Sequence, residues 1–240
     1  MLVNMIRKLA IGVVYPHRQS SDSFIRYLKK CGVKIGANTY FFHPTNTKID
    51  INRASYITIG SGCSITSGVS ILCHDFSWTV LRKSHHEFFP DSGKTVEIGD
   101  NVFVGWDAII IGPVKVGSNV IIGAHSVVTR DIPDNVVVAG SPAKILCTLD
   151  EYYEKKQKNR VNDAIFRAKH IVETCSRMPT KEDMGWFNVL WLDRNRESEA
   201  FLRTLSFKAD NMDEVIKNFY DTEKIFDSYE QFLDNSGINV

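Results

Sequence analysis

Aliphatic residues recur at every sixth position through the middle of the chain, usually followed by glycine: Ile98-Gly99, Val104-Gly105, Ile110, Val116-Gly117, Ile122-Gly123 and Val128. An earlier run, Ile59-Gly60, Ile65 and Ile71, keeps the same period. A spacing of six is too long for a helix face and too regular for ordinary strands, and it marks a β-helix built of hexapeptides. Two positions before each of these residues stand more small or aliphatic side chains: Ile57, Cys63, Val69, Val96, Val102, Ala108, Val114 and Val120. Residues two apart in an extended segment point to the same side, so each hexapeptide reads as a short strand that buries a pair of side chains and then turns. Glycine after the inward aliphatic suits such a turn, and with Asn101 and Asn119 it tolerates positive φ. Three strands make one triangular coil, and stacked coils cover one another's apolar floor at about 1.5–3 kcal/mol per buried Ile or Val. No coil is stable alone.

The repeat has two defects. Ile35-Gly36 lies four hexapeptides before Ile59, but the intervening Phe41, Thr47 and Arg53 fit progressively worse, and Ile49 and Ile51 suggest an irregular or bulged first coil starting near Val33. Between Ile71 and Ile98 the count fails to divide by six, so the chain leaves the coil over residues 73–95. That excursion holds three of the seven histidines and several aromatics. A loop leaving a rigid scaffold is where binding and catalysis concentrate.

Three parts follow: an N-terminal helical segment, 1–32; the β-helix, 33–148, with its excursion; and a helical region, 149–240. The segment from Asp22 to Lys30 carries Phe24, Ile25 and Leu28 at helical spacing before Gly32. The first residues, MLVNMIRKLAIGVVYP, lack a cleavage site and are too short to span a bilayer, so any membrane association is peripheral. Past Thr148 the spacing turns helical: Ile165, Ala168, Ile171 and Val172, then Val215, Ile216, Phe219 and Tyr220, then Ile225, Phe226, Tyr229 and Phe232, with Pro179 and Gly185 as breaks. The apolar stretch Gly185 to Leu192 reads as helix in a small core or as a docking surface.

A net charge of +1 offers no footprint for nucleic acid. Five cysteines without metal-ligand spacing fit a reduced, cytoplasmic setting.

Residues 121–146, IIGAHSVVTRDIPDNVVVAGSPAKIL, close the repeat. Together with the hexads and a histidine opening the excursion, in ILCHDFSW, they make the chain from about Ile57 to Leu146 resemble the hexapeptide acyltransferases, particularly the sugar and xenobiotic O-acetyltransferase branch that includes galactoside, maltose and capsule-modifying enzymes. The resemblance implies a left-handed parallel β-helix, an exception to the usual crossover hand. It also implies acetyl-CoA as acyl donor, no metal, and a homotrimer with active sites between subunits and a saccharide acceptor. The family's general base is a histidine at the loop opening, which here is His74. Imidazole is suited to that work because its neutral form is abundant near pH 7.

Base assistance of this kind is worth roughly 10²–10⁴-fold, and an acyl-enzyme is unnecessary because the thioester is already activated. A backbone carbonyl, ahead of Asp75, is the expected partner that orients the ring. Asp75, Trp78, His85 and His86 are candidates for the acceptor site, each equally readable as a structural or solvated loop residue. By the same resemblance the pantetheine arm lies along Gly105, Trp106, Gly123 and Ala124, with Thr129, Arg130 and Lys144 near the nucleotide end, where phosphates favour fixed cations and hydroxyls. Trp106 replaces a small residue of several relatives. Phe103 has outward parity and, with Trp106, is a candidate trimer contact or groove wall.

Carbonic anhydrases of the same fold use an H-x4-H pair, which this chain lacks. Serine acetyltransferases place their helices before the coil, whereas here the large helical region follows it. An N-acetyltransferase of an amino sugar nucleotide, an antibiotic acetyltransferase and a non-catalytic scaffold stay open, since fold alone does not settle function.

Overall fold

The computed structural model describes residues 14–89, 93–206 and 212–238, which fall in two compact units, Met1–Tyr152 and Tyr153–Val240. Most of the basic N-terminal stretch lies outside the described residues.

The first unit is a three-sided coil. One side holds β1 (Lys34–Ile35), β4 (Ile57–Ile59), β7 (Val96–Ile98) and β10 (Val114–Val116). The second holds β2 (Tyr40–Phe41), β5 (Ser64–Ile65), β8 (Phe103–Val104), β11 (Ile121–Ile122) and β13 (Val136–Ala139), closed by antiparallel β14 (Lys144–Thr148). The third holds β3 (Lys48–Ile49), β6 (Ser70–Leu72), β9 (Ile109–Ile111) and β12 (Val127–Val128). Every other pairing is parallel and stacks inward aliphatics on one another: Ile59 beside Ile98, Val104 beside Ile122, Ile71 beside Ile110. All the predicted inward residues from Ile57 to Val128 are buried in one continuous core. The architecture is a left-handed parallel β-helix with a protruding loop, a short N-terminal helix and a C-terminal helical extension.

Two features of the coil differ from what the spacing suggests. The first coil contains three strands, not four hexapeptides: Phe41 sits beside Ile65, but Ile49, rather than Thr47, sits beside Ile71. Extra residues are accommodated before β3 and in a 3-10 segment, Ile51–Tyr56, which carries Arg53 and leaves Ile51 exposed. The second difference concerns the repeat glycines. Left-handed backbone falls two residues after them, at Asn38, Gly62, Asn101 and Asn119 on one corner, and Asn135, which follows Pro133-Asp134, adopts it as well. Gly105 itself is needed for close stacking, because a Cβ there would meet Ala124 N at 2.5 Å. The corner asparagines form a ladder, Asn101 Nδ2 donating to Asn119 Oδ1 (2.8 Å) and Asn119 Nδ2 to Asn135 Oδ1 (3.0 Å).

Helix α1 (Ser21–Cys31) starts at a reciprocal Ser20–Ser23 cap and ends at Gly32, φ +112°. It buries Phe24 and Leu28 over the first coil, with the Phe24 ring edge-on to Phe41 at 5.2 Å.

In the second unit, the long helix α3 (Leu149–Cys175) begins just before the boundary, and α2 is the excursion helix described below. Ala164 and Ala168 of α3 pack with Met184, Leu190, Trp191 and Phe232. Short α4 (Lys181–Met184) leads into a 3-10 segment, Gly185–Leu190, so the apolar stretch at 185–192 contributes core residues Leu190, Trp191 and Leu192 while Trp186 stays partly exposed. Helices α5 (Arg196–Thr204) and α6 (Met212–Asp221) share a second cluster of Leu192, Leu202, Ile216 and Phe219. Val215 and Tyr220 face outward, and α7 (Tyr229–Ser236) carries Phe232 into the first cluster.

Candidate active site

The coil opens after β6 and resumes at β7, and the mouth of this excursion is tied together. Lys94 N donates to Cys73 O (2.9 Å), and Lys94 Nζ meets Asp75 Oδ2 at 2.7 Å. Asp75 also accepts hydrogen bonds from Ser77 N and Oγ. The lysine and the serine donors together hold the Asp75 carboxyl well below the usual carboxylate range. Within the excursion α2 (Trp78–His85) forms a short helix with no buried residue.

His74 stands at the exit from β6, half-buried, with its ring edge-on to Phe76 at 4.9 Å. Its Nδ1 is in hydrogen-bond contact with Asp50 Oδ2. Asp50 follows β3, and its side chain is 2% exposed. Its N–H donates to Ile71 O (3.0 Å), continuing the β3–β6 pairing by one residue, and its carboxylate also accepts from Cys73 N (3.1 Å). The ring's orienting partner is therefore Asp50, not a backbone carbonyl or Asp75: the lysine and serine already engage Asp75, and alternation along the chain turns it away from the ring. An Nδ1–H held by a carboxylate leaves the neutral ring's lone pair on Nε2. Beside this pair, burial and the Asp50 charge push the Cys73 thiol up to about 11.

The other candidate residues are distributed as follows. Trp78 opens α2 with the Arg82 guanidinium 4.1 Å above its ring, so one indole face is already taken. His85 and His86 lie at the far end of α2, both exposed, with His85 Nδ1 2.7 Å from Ser84 Oγ. Gly105-Trp106 and Gly123-Ala124 stack at the corner that follows the second sheet, and His125 N donates to Trp106 O (2.7 Å). Trp106 is 58% exposed, and Phe103 of β8 is exposed as well.

Thr129 and Arg130 follow β12 and so share the corner of His74, which follows β6 in the same sheet. Lys144 begins β14, and Ala143 N donates to Val127 O (2.8 Å), which brings that strand's start beside β12. Thr129, Arg130 and Lys144 are exposed. Within one chain, His74 and the Gly105–Gly123 pair thus occupy different corners of the coil. Among the described residues no group of three or more His, Cys, Asp or Glu is placed to hold a metal ion, and no helix is long and apolar enough to cross a membrane.

Residues 95–130 match the bacterial transferase hexapeptide (six repeats) family. The chain is 36% identical over 138 residues to Protein CapG of Staphylococcus aureus, covering 55% of this chain and 75% of that protein. It is 33% identical over 132 residues to a galactoside O-acetyltransferase of Escherichia coli K12, covering 52% of this chain and 61% of that one. A chloramphenicol acetyltransferase of Klebsiella aerogenes is 33% identical over 143 residues, covering 49% of this chain and 68% of the relative.

Proposed function

Because the chain belongs to the bacterial hexapeptide-repeat transferase family, we propose that it transfers an acetyl group from acetyl-CoA to a hydroxyl of a saccharide, such as a capsule, O-antigen or exopolysaccharide unit. The observation that carries this reading is the His74–Asp50 pair at the mouth of the excursion. With Nδ1 tied to Asp50, His74 Nε2 takes the proton of the acceptor hydroxyl as its oxygen attacks the thioester carbon. The tetrahedral intermediate then collapses, and coenzyme A leaves as the thiolate and takes up a proton. Asp50 acts through His74 as a positioning residue, fixing the tautomer and offsetting the positive charge that develops on the ring.

Acetyl-CoA is the second substrate. Its pantetheine arm runs past Gly105, Trp106, Gly123 and Ala124, and Thr129, Arg130 and Lys144 take the nucleotide phosphates. The placement of Gly105, Trp106, Gly123 and Ala124 on a different corner from His74, Thr129 and Arg130 favours a homotrimer. In it the His74 corner of one coil faces the Gly105–Gly123 corner of the next, and exposed Phe103 and Trp106 line the contact or the groove. Asp75, Trp78, His85 and His86 border the acceptor. The reduced thiols and the need for acetyl-CoA fit the cytoplasm.

The test is incubation of the protein with acetyl-CoA and a panel of saccharides, sugar nucleotides, amino sugars and chloramphenicol, with product identified by mass and by hydroxylamine sensitivity. An O-acetyl ester on a saccharide is the expected product. An amide on an amino sugar, or acetylated chloramphenicol with every saccharide untouched, overturns the acceptor assignment.

A further inference from the structure

His74, Phe76 and Trp78 stand at alternate positions where the chain leaves β6, and their rings form a row. The Phe76 ring is edge-on to the imidazole at 4.9 Å and lies 6.2 Å from the Trp78 ring. Despite these neighbours, Phe76 is 62% exposed. A single exposed ring is ordinary on a protein surface. This one differs in that it touches the imidazole and is held in place.

Three hydrogen bonds fix the backbone that carries the ring. Ser77 N donates to Asp75 Oδ1 (2.9 Å), closing a turn around Phe76, and Thr79 donates to Phe76 O from both its N (3.0 Å) and its Oγ1 (2.8 Å). Lys94 Nζ anchors the same turn through Asp75 Oδ2 (2.7 Å). The neighbouring side chains are already engaged: Lys94 and Ser77 occupy Asp75, and the Arg82 guanidinium covers one face of Trp78 at 4.1 Å. Phe76 thus combines contact with His74, a fixed backbone and open surface.

A molecule whose hydroxyl reaches the imidazole has its adjoining atoms beside this phenyl ring. A pyranose suits the pair, because its faces carry C–H groups and its rim carries hydroxyls. One face packs on the aromatic ring while a rim hydroxyl meets His74 Nε2. The phenyl ring offers no hydrogen bond, so it recognises C–H surface and not one pattern of hydroxyls. We propose that Phe76 is the platform on which the sugar ring of the acceptor stacks, holding a hydroxyl at His74 Nε2. The proposal rests on the transfer reading above and adds to it the residue that sets acceptor affinity, for a pyranose ring over an open-chain polyol.

Saturation-transfer NMR on the full chain tests binding apart from turnover, with coenzyme A present in place of acetyl-CoA. The probes are the methyl α-glycosides of glucose, galactose, mannose and N-acetylglucosamine, with sorbitol as the open-chain control. At least one glycoside should bind, with saturation strongest on the C–H protons of one ring face, and sorbitol should not. Phe76→Ala should raise the Kd of that glycoside about tenfold, the effect of losing one apolar contact face, and Phe76→Tyr, which keeps the ring, should stay within about twofold of wild type. Phe76 is exposed, so the alanine variant should fold and sediment as wild type does. Binding of sorbitol as tight as that of the glycosides, no binding by any glycoside, or an unchanged Kd in Phe76→Ala overturns the proposal. A change of oligomeric state in that variant also overturns it, by placing the ring in a subunit contact. In the transfer assay Phe76→Ala should raise the acceptor KM about tenfold with kcat nearly unchanged. Transfer with an unchanged acceptor KM in that variant overturns this proposal alone, whereas Phe76-dependent glycoside binding without acetyl transfer to any saccharide overturns the transfer reading alone.

Discussion

The Asp50 carboxylate holds the His74 imidazole across 24 residues of sequence because β3 and β6 lie side by side with Ile49 opposite Ile71. Asp50 N continues that ladder to Ile71 O, so its side chain emerges where the chain turns out of β6. Cys73 N and His74 Nδ1 meet the same Asp50 oxygen, Oδ2, so Asp50→Asn with its amide oxygen in that place keeps both contacts but removes the negative charge that offsets the imidazolium formed in the reaction. Steady-state kinetics should show kcat down by roughly 10²–10⁴-fold with KM for both substrates nearly unchanged. Asp50→Glu should recover part of the loss. A variant that raises KM with kcat intact would show that Asp50 serves binding instead.

Close stacking makes Gly105 one of the coil glycines that a side chain cannot replace freely. Gly105→Ala sets a Cβ against the Ala124 backbone and should cost about 1–3 kcal/mol in chemical unfolding, the usual range for overpacking. Gly62→Asn is the contrast: φ is +66°, the nearest atom outside its neighbours is 4.0 Å away, and asparagine already occupies the equivalent corners at Asn101 and Asn119. It should stay within about 0.5 kcal/mol of wild type. Equal losses in the two variants would contradict this account of the coil.

Cysteine reactivity should divide by burial and charge. Cys73 is buried beside Asp50 with its thiol pushed up to about 11, and burial also raises Cys63. Iodoacetamide at pH 8 should label exposed Cys31 and Cys175 in the native protein and leave Cys63 and Cys73 unlabelled, as read by peptide mass mapping. Labelling of Cys73 as fast as Cys175 would contradict its environment.

The tie at the mouth of the excursion has a defined pH signature. The Asp75 carboxyl is held low in the folded state, first by Lys94 and then by Ser77. A depressed carboxyl stabilises the fold above its unfolded pKa of about 3.9 and loses that contribution as the pH falls through the folded value. Asp75→Asn should therefore lower the melting temperature at pH 7, and the gap from wild type should close as the pH is taken below about 3.9. A gap that is constant with pH would show that the carboxylate charge is not what matters there.

Much of the fold is legible in the sequence because a period of six admits few structures, and the paired inward positions from Ile57 to Val128 are the observed core. Asp50 was not legible. Six extra residues spread over the first coil keep Ile35 and Ile59 four hexapeptides apart, and this coincidence conceals that Ile49, not Thr47, occupies the strand. The misfit at Ile49 and Ile51 was the available signal, and the carboxylate sits between them. Helix α2 left no trace because it buries nothing, so its residues carry no apolar period. The role of the repeat glycines depends on the neighbouring coil, a contact between distant residues that local conformational preference does not encode.

The central claim is most directly tested by the rate of coenzyme A thiol release in the presence of the saccharide acceptor, compared between wild type and His74→Ala at saturating acetyl-CoA. The account predicts a loss of roughly 10²–10⁴-fold in kcat, with the variant still folded and still binding acetyl-CoA. Turnover by His74→Ala at the wild-type rate would contradict it.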